Sequence, residues 1–239
     1  MERACDAKCN FCITNFREPV SASACLNIQK LEKILAALEP EKIEITGGGE
    51  PTLHPAIDEI IDRCCQKAPT QLYTHGARLR NLPALQTLTY LCISRAHYDD
   101  IENQRIMSVA YDFQQLQERL HELHIPLKLS LLLHYSGIHS AGEVHRYVAW
   151  AQGKAEKVVL RQLFEQDYQG KLQNEFISSE KIFRELGVSF YQQTESGNPL
   201  FQIGNLKCEV EMRSCACEMN NPVLHADGKL YRGWSTEPL

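Results

Sequence analysis

Between Asn27 and Leu38 apolar side chains recur every three or four positions, at Ile28, Leu31, Ile34, Leu35 and Leu38, which predicts an amphipathic helix ended by Pro40. The period then shortens. Lys42 to Thr46 alternates as a strand and runs into Gly47, Gly48, Gly49, Glu50 and Pro51. Pro55 to Lys67 carries Ile57, Ile60, Ile61 and Cys64 on one face and predicts the next helix, followed by a strand from Gln71 to His75 closed by Gly76. The alternation continues with a strand at Tyr90 to Ser94, a helix at Asp112 to Leu123, a strand at Leu127 to His134, a helix at Ala141 to Ala151 and a strand at Lys157 to Phe164. Strands separated by helices imply right-handed crossovers and a mostly parallel sheet, an α/β fold.

From about Glu165 the pattern is less regular. It predicts a helix at Ser179 to Leu186, a strand at Val188 to Gln192, and an Asp227-Gly228 turn between Val223-Leu224 and Leu230-Tyr231, the signature of a hairpin. The expected organisation is an α/β unit over residues 1–165 and a small irregular extension over 166–239.

With 239 residues, 44% of them hydrophobic, the chain can bury a core. A net charge of -5 lacks the basic footprint that tracks a phosphate backbone, so a nucleic-acid partner is disfavoured. No apolar run approaches the ~20 residues that cross a bilayer, and no export signal is visible, so a cytoplasmic protein without a membrane partner is expected. In that setting the 10 cysteines point to reduced thiols in metal or redox use.

Their grouping narrows the choice. Cys5, Cys9 and Cys12 are spaced to wrap one face of a cube of iron and sulfide, leaving one iron without a protein ligand. Zinc also suits thiolates but prefers four protein ligands when structural, and would need a partner such as His54 or His75. Chance clustering is the third reading.

The run Cys5-Asp-Ala-Lys-Cys9-Asn-Phe-Cys12 resembles the CxxxCxxC signature of the radical SAM superfamily, including the aromatic before the last cysteine. Gly48-Gly49-Glu50 after a strand resembles that family's SAM-binding motif. The resemblance implies an incomplete (β/α)6 barrel with a 4Fe-4S cluster on Cys5, Cys9 and Cys12, and S-adenosyl-L-methionine held at Gly47, Gly48, Gly49 and Glu50. It implies reductive cleavage of SAM to a 5'-deoxyadenosyl radical that abstracts hydrogen from a small-molecule or peptide substrate, with a reductant such as flavodoxin or ferredoxin. The competing class is a non-catalytic iron-sulfur or zinc protein, an electron carrier or redox sensor, which needs the cysteines but not a SAM-shaped loop.

Three consecutive glycines also permit positive φ and close backbone approach to a ligand. Ser94 and Ser130, at or along strands of the barrel, are candidates for the SAM ribose, or are serines bonded to backbone. Arg95, His97, Tyr98, Asp99 and Asp100 follow a strand at the end where parallel-barrel sites gather, although Asp-Asp also reads as a helix cap. His134, Tyr135 and Arg161 fall on the same face by position, and an arginine inside a barrel calls for an anionic partner.

Cys208, Cys215 and Cys217 near the Asp-Gly turn resemble the SPASM or twitch region of such enzymes, which binds auxiliary iron-sulfur clusters. They form a candidate second site. Gly233-Trp234 stands where that pattern usually has a further cysteine, so zinc or plain buried thiols are alternatives. Only Met1 to Ala4 precede the first cluster, which leaves no room for the family's usual first strand: the barrel is shorter and more open, or the natural start lies upstream.

Overall fold

In the computed structural model the described residues are 4–16, 25–79, 83–122, 124–163, 169–194, 197–211, 221–233, 235 and 237–239. Helix α1 (Ile28–Ala37) is capped by Asn27, whose side chain accepts the amides of Gln29 and Lys30. Strand β1 (Ile43–Ile45) leads through the glycine loop to α2 (Ile57–Lys67), with Asp58 and Glu59 in its first turn and Lys67 in its last, matching the helix dipole. There follow β2 (Thr70–Thr74), β3 (Tyr90–Ser94), α3 (Asp100–Met107), α4 (Phe113–Glu122), β4 (Leu127–Leu133), α5 (Ala141–Ala151) and β5 (Lys157–Gln162). Helix α3 is not visible in the periodicity, since it turns only Asn103, Ile106 and Met107 inward.

Strands β1 to β5 pair in parallel in chain order, as expected for the partial barrel. The later part of the chain is more regular than its sequence pattern implies. After α6 (Ser179–Leu186) come β6 (Gln192–Gln193), β7 (Pro199–Ile203) and β8 (Leu206–Glu211), and β8 pairs in parallel with β5. Strands β7 and β6 add antiparallel neighbours, so one eight-stranded sheet continues across the boundary expected near residue 165. The strand expected at Val188 to Gln192 is displaced to β6, which shares only Gln192 with it, because Gln192 and Gln193 are the residues in register with Leu200 and Pro199 of β7.

The sheet has two unlike faces. Leu72, Leu91, Ile93, Leu129, Leu131, Val158 and Leu160 pack outward against Phe113, Leu116, Tyr147 and Val148 in the main core. The alternate positions face the barrel interior and are largely polar: Gln71, Tyr73, Cys92, Ser94, Lys128, Ser130, Arg161, Glu209 and Glu211. The Arg161 guanidinium on β5 lies 5.4 Å from the ring of Tyr73 on β2, so strands three places apart in the sheet come within side-chain reach and the sheet is curled.

The hairpin of β9 (Pro222–Leu224) and β10 (Leu230–Arg232) packs back toward the start of the chain. Lys30 donates to the Asp227 carbonyl at 2.7 Å, and Leu224 joins Leu31, Ile43 and Ile45 in a small cluster. The apolar side chains of edge strand β1 are thereby covered, which reduces the association hazard of an unpaired strand.

Cys208 lies on β8 on the core side, fully buried beside Phe201 and Val158, and burial pushes its thiol pKa up to about 12. Cys215 and Cys217 lie outside the described residues. Cys208→Ser places a hydroxyl among aliphatic neighbours, so urea unfolding is expected to show a loss of about 1–3 kcal/mol, with Cys208→Ala losing less. Equal stability of the serine variant and wild type would contradict this placement.

Candidate functional site

The cysteine loop crosses the carboxyl ends of the strands and is fastened at four points. The Glu50 amide donates to the Ala4 carbonyl at 2.7 Å. Asp6 accepts from His75 Nε2 at 2.8 Å and from Arg78 Nε. The Lys8 amide donates to the Met107 carbonyl at 3.0 Å, at the end of α3. The Phe11 ring packs on His134 with centroids 4.7 Å apart.

Between these anchors lie Cys5, Cys9 and Cys12. Burial pushes the Cys9 thiol up to about 12, and negative charge on Cys12 and Cys5 adds to the rise, so both neighbours oppose ionisation of Cys9. A cationic metal centre removes that opposition. Cys5, Cys9 and Cys12 are all free thiols with at least partial exposure, so the donor set fits an iron-sulfur cluster held at a mouth.

None of Gly47, Gly48 and Gly49 has positive φ, contrary to the expectation drawn from three glycines in a row. The requirement at Gly49 is space: a Cβ there would fall 2.2 Å from the Ala4 carbonyl oxygen. Glu50 is turned inward. One carboxylate oxygen accepts from the Thr52 amide and from the hydroxyls of Thr52 and Thr74, and the other from the His75 amide at 2.9 Å. Its side chain braces the loop against β2.

Ser94 and Ser130 are paired residues in the β3–β4 register, so the two ribose candidates stand side by side on the inner face. The residues after β3 have partners within the chain. Arg95 is buried between α4 and α5, its guanidinium 4.7 Å from the Phe113 ring and 5.1 Å from Trp150, and it pairs with Asp100 and donates to the Tyr98 carbonyl at 3.1 Å. It is thus directed away from the barrel interior. Asp99 caps α3, accepting the amides of Ile101 and Glu102, so the helix-cap reading is the one realised. His97 stacks on Tyr98 at 4.2 Å, and burial lowers its pKa.

His134 ends β4 fully buried, its Nδ1 3.4 Å from a Glu175 oxygen, while Tyr135 points outward. Burial lowers the pKa of His134 despite that carboxylate. The anionic partner sought for Arg161 is supplied by the chain itself, as Glu211 on β8 at 2.7 Å. The alternation of Leu206 to Glu211 could have signalled β8, but no local pattern shows that this strand lies beside β5 and so brings Glu211 to Arg161. Of the two histidines considered for zinc, His75 lies with Cys5 and Asp6 in a group whose ligand atoms are within 4.8 Å of one another, and His54 Nε2 contacts Cys25 Sγ at 3.0 Å.

Gly49→Ala is expected to push Ala4 away and break its bond to Glu50, accelerating amide exchange at Glu50 about tenfold or more. Gly142→Ala, whose added Cβ meets nothing within 4 Å, is the matched control and leaves that amide unchanged.

No curated protein sequence matches the chain. Among solved structures, anSMEcpe with bound AdoMet and Kp18Cys peptide aligns at a TM-score of 0.59 and 14% identity, covering 97% of this chain and 71% of that one. TYW1 with a lysine-pyruvate adduct bound aligns at 0.53 and 18% identity, covering 83% and 76%. At these identities the likeness is one of fold. The model of the radical SAM superfamily matches residues 2–134, more than half of the sequence and including both the cysteine run and the glycine loop, and the chain belongs to that superfamily.

Proposed function

We propose that this chain is a radical SAM enzyme that binds a 4Fe-4S cluster through Cys5, Cys9 and Cys12 and S-adenosylmethionine against the loop Gly47 to Glu50. Members of the superfamily are enzymes, and the reading goes further in naming these residues. The observation that carries it is the hydrogen bond from the Glu50 amide to the Ala4 carbonyl, which holds the glycine loop directly beside Cys5. When bound, the cluster supplies an iron without a protein ligand and an electron for breaking a carbon-sulfur bond of SAM.

The chain's own contribution is positioning. With both oxygens of Glu50 engaged by Thr52, Thr74 and His75, the loop offers backbone groups, not a carboxylate, to the methionine portion of SAM. Ser94 and Ser130 offer hydroxyls at the level of the inner face suited to a ribose. The ion pair of Arg161 and Glu211, reaching across to Tyr73, lines the interior with charge of both signs. A polar small molecule or a peptide side chain suits that lining better than an apolar substrate does. An electron-transfer protein such as flavodoxin or ferredoxin is the matching reductant.

Anaerobic reconstitution followed by SAM and dithionite is expected to yield methionine and 5'-deoxyadenosine. Wild type should hold about four irons that the combined Cys5→Ala, Cys9→Ala and Cys12→Ala variant lacks. Zinc in place of iron, or an intact cluster that leaves SAM uncleaved, would overturn the proposal.

A further inference from the structure

Asp6 sits between two of the proposed ligands, Cys5 and Cys9, and its carboxylate is gripped from both sides. His75 Nδ1 accepts the Ala77 amide at 3.1 Å, which places the ring proton on Nε2, and Nε2 donates to Asp6 Oδ1 at 2.8 Å. The same Nε2 lies 3.4 Å from Glu50 Oε2, and the His75 amide donates to that oxygen at 2.9 Å. His75 is only 4% exposed, so its orientation is set by packing as well as by these bonds. On the other side Arg78 Nε binds Asp6 Oδ2. Both basic residues follow β2, and the segment that carries them is continuous with the strand that Glu50 braces through Thr74.

We propose that His75 and Arg78 form a clamp on Asp6 that positions the cluster loop and sets the charge beside the cluster. This rests on the cluster assignment of the preceding subsection and adds three positioning residues that do not bind the metal. The reasoning is electrostatic and geometric. A loop with three ligands in eight residues has few internal bonds, so its shape depends on outside anchors, and loss of such supporting partners typically costs 10–100-fold in metal affinity. Asp6 carries a negative charge next to Cys5, and Arg78 carries the opposing positive charge. Reduction of a cluster adds negative charge, so removing the Asp6 charge favours the reduced form and removing the Arg78 charge disfavours it. The two substitutions break the same contact yet act on the potential with opposite sign.

Arg78 is half exposed, so its electrostatic influence is screened and smaller than that of Asp6, without change of sign. His75, its ring held between the Ala77 amide and Asp6, acts by orientation and contributes to retention more than to potential.

The test compares wild type, Asp6→Asn, Asp6→Glu, Arg78→Gln and His75→Ala after anaerobic reconstitution. Two quantities are read: the rate of iron release to a ferrous chelator, and the midpoint potential from a redox titration followed by electron paramagnetic resonance. Iron release is expected to rise about tenfold or more in Asp6→Asn, Arg78→Gln and His75→Ala, and to return toward wild type in Asp6→Glu. The potential is expected to rise in Asp6→Asn and to fall in Arg78→Gln. Wild-type release rates in all variants, or potentials that are unchanged or move in one direction for both charge variants, would overturn the clamp. A wild-type protein that takes up no iron would instead overturn the cluster assignment.

Discussion

A buried carboxylate that must be fully hydrogen-bonded organises this site. Glu50 has 5% of its surface exposed, and a charge so placed is tolerated only when donors surround it. Thr52, Thr74 and the His75 amide meet that demand, and in doing so they fix the glycine loop against β2. The Glu50 amide then reaches the other way, to Ala4, and orients the cysteine loop. The acidic residue of the Gly-Gly-Glu motif is therefore an internal brace in this chain.

The interior of the barrel follows a similar logic on a larger scale. Lys157 pairs with Glu209 at 3.1 Å, Arg161 with Glu211 at 2.7 Å, and Lys128 donates to Gln71 at 3.0 Å while lying 4.0 Å from the Tyr90 ring. Burial opposes ionisation of Glu209, but Asn198 and Lys157 outweigh it and hold the carboxyl below its ordinary range. Burial lowers the pKa of Lys128, whose strongest contacts are an amide and a ring. An inner face built from mutually satisfied charges can admit polar groups at its mouth while its outer face still buries a continuous aliphatic core.

Strand β8 makes this possible, and it comes from the part of the chain that looked irregular. It supplies Glu209 and Glu211 to the inner face and Cys208 and Val210 to the core. Leu206 to Glu211 does alternate with strand period, but β7 is an antiparallel partner without an intervening helix, so the helix–strand rhythm of the earlier chain is broken there and nothing local assigns β8 to a place beside β5. Similarly, α3 has no apolar periodicity because only one narrow edge of it is buried, and its local signals are the Asp99 cap, the acidic first turn and Arg105 in the last.

What the sequence determined by itself depends on short spacing. The helix and strand periods from Asn27 to Gln162, the three thiols in eight residues, and the glycine loop after β1 are local properties, and local backbone geometry carries them into the structure. Tertiary structure alone decided the pairings: Asp6 with His75 and Arg78, Ser94 beside Ser130, Arg161 with Glu211, and Arg95 withdrawn into an aromatic pocket. These partners are set by strand register, by the curl that brings β5 toward β2, and by packing of helices on the outer face. Such contacts join residues distant along the chain, and no residue spacing encodes them.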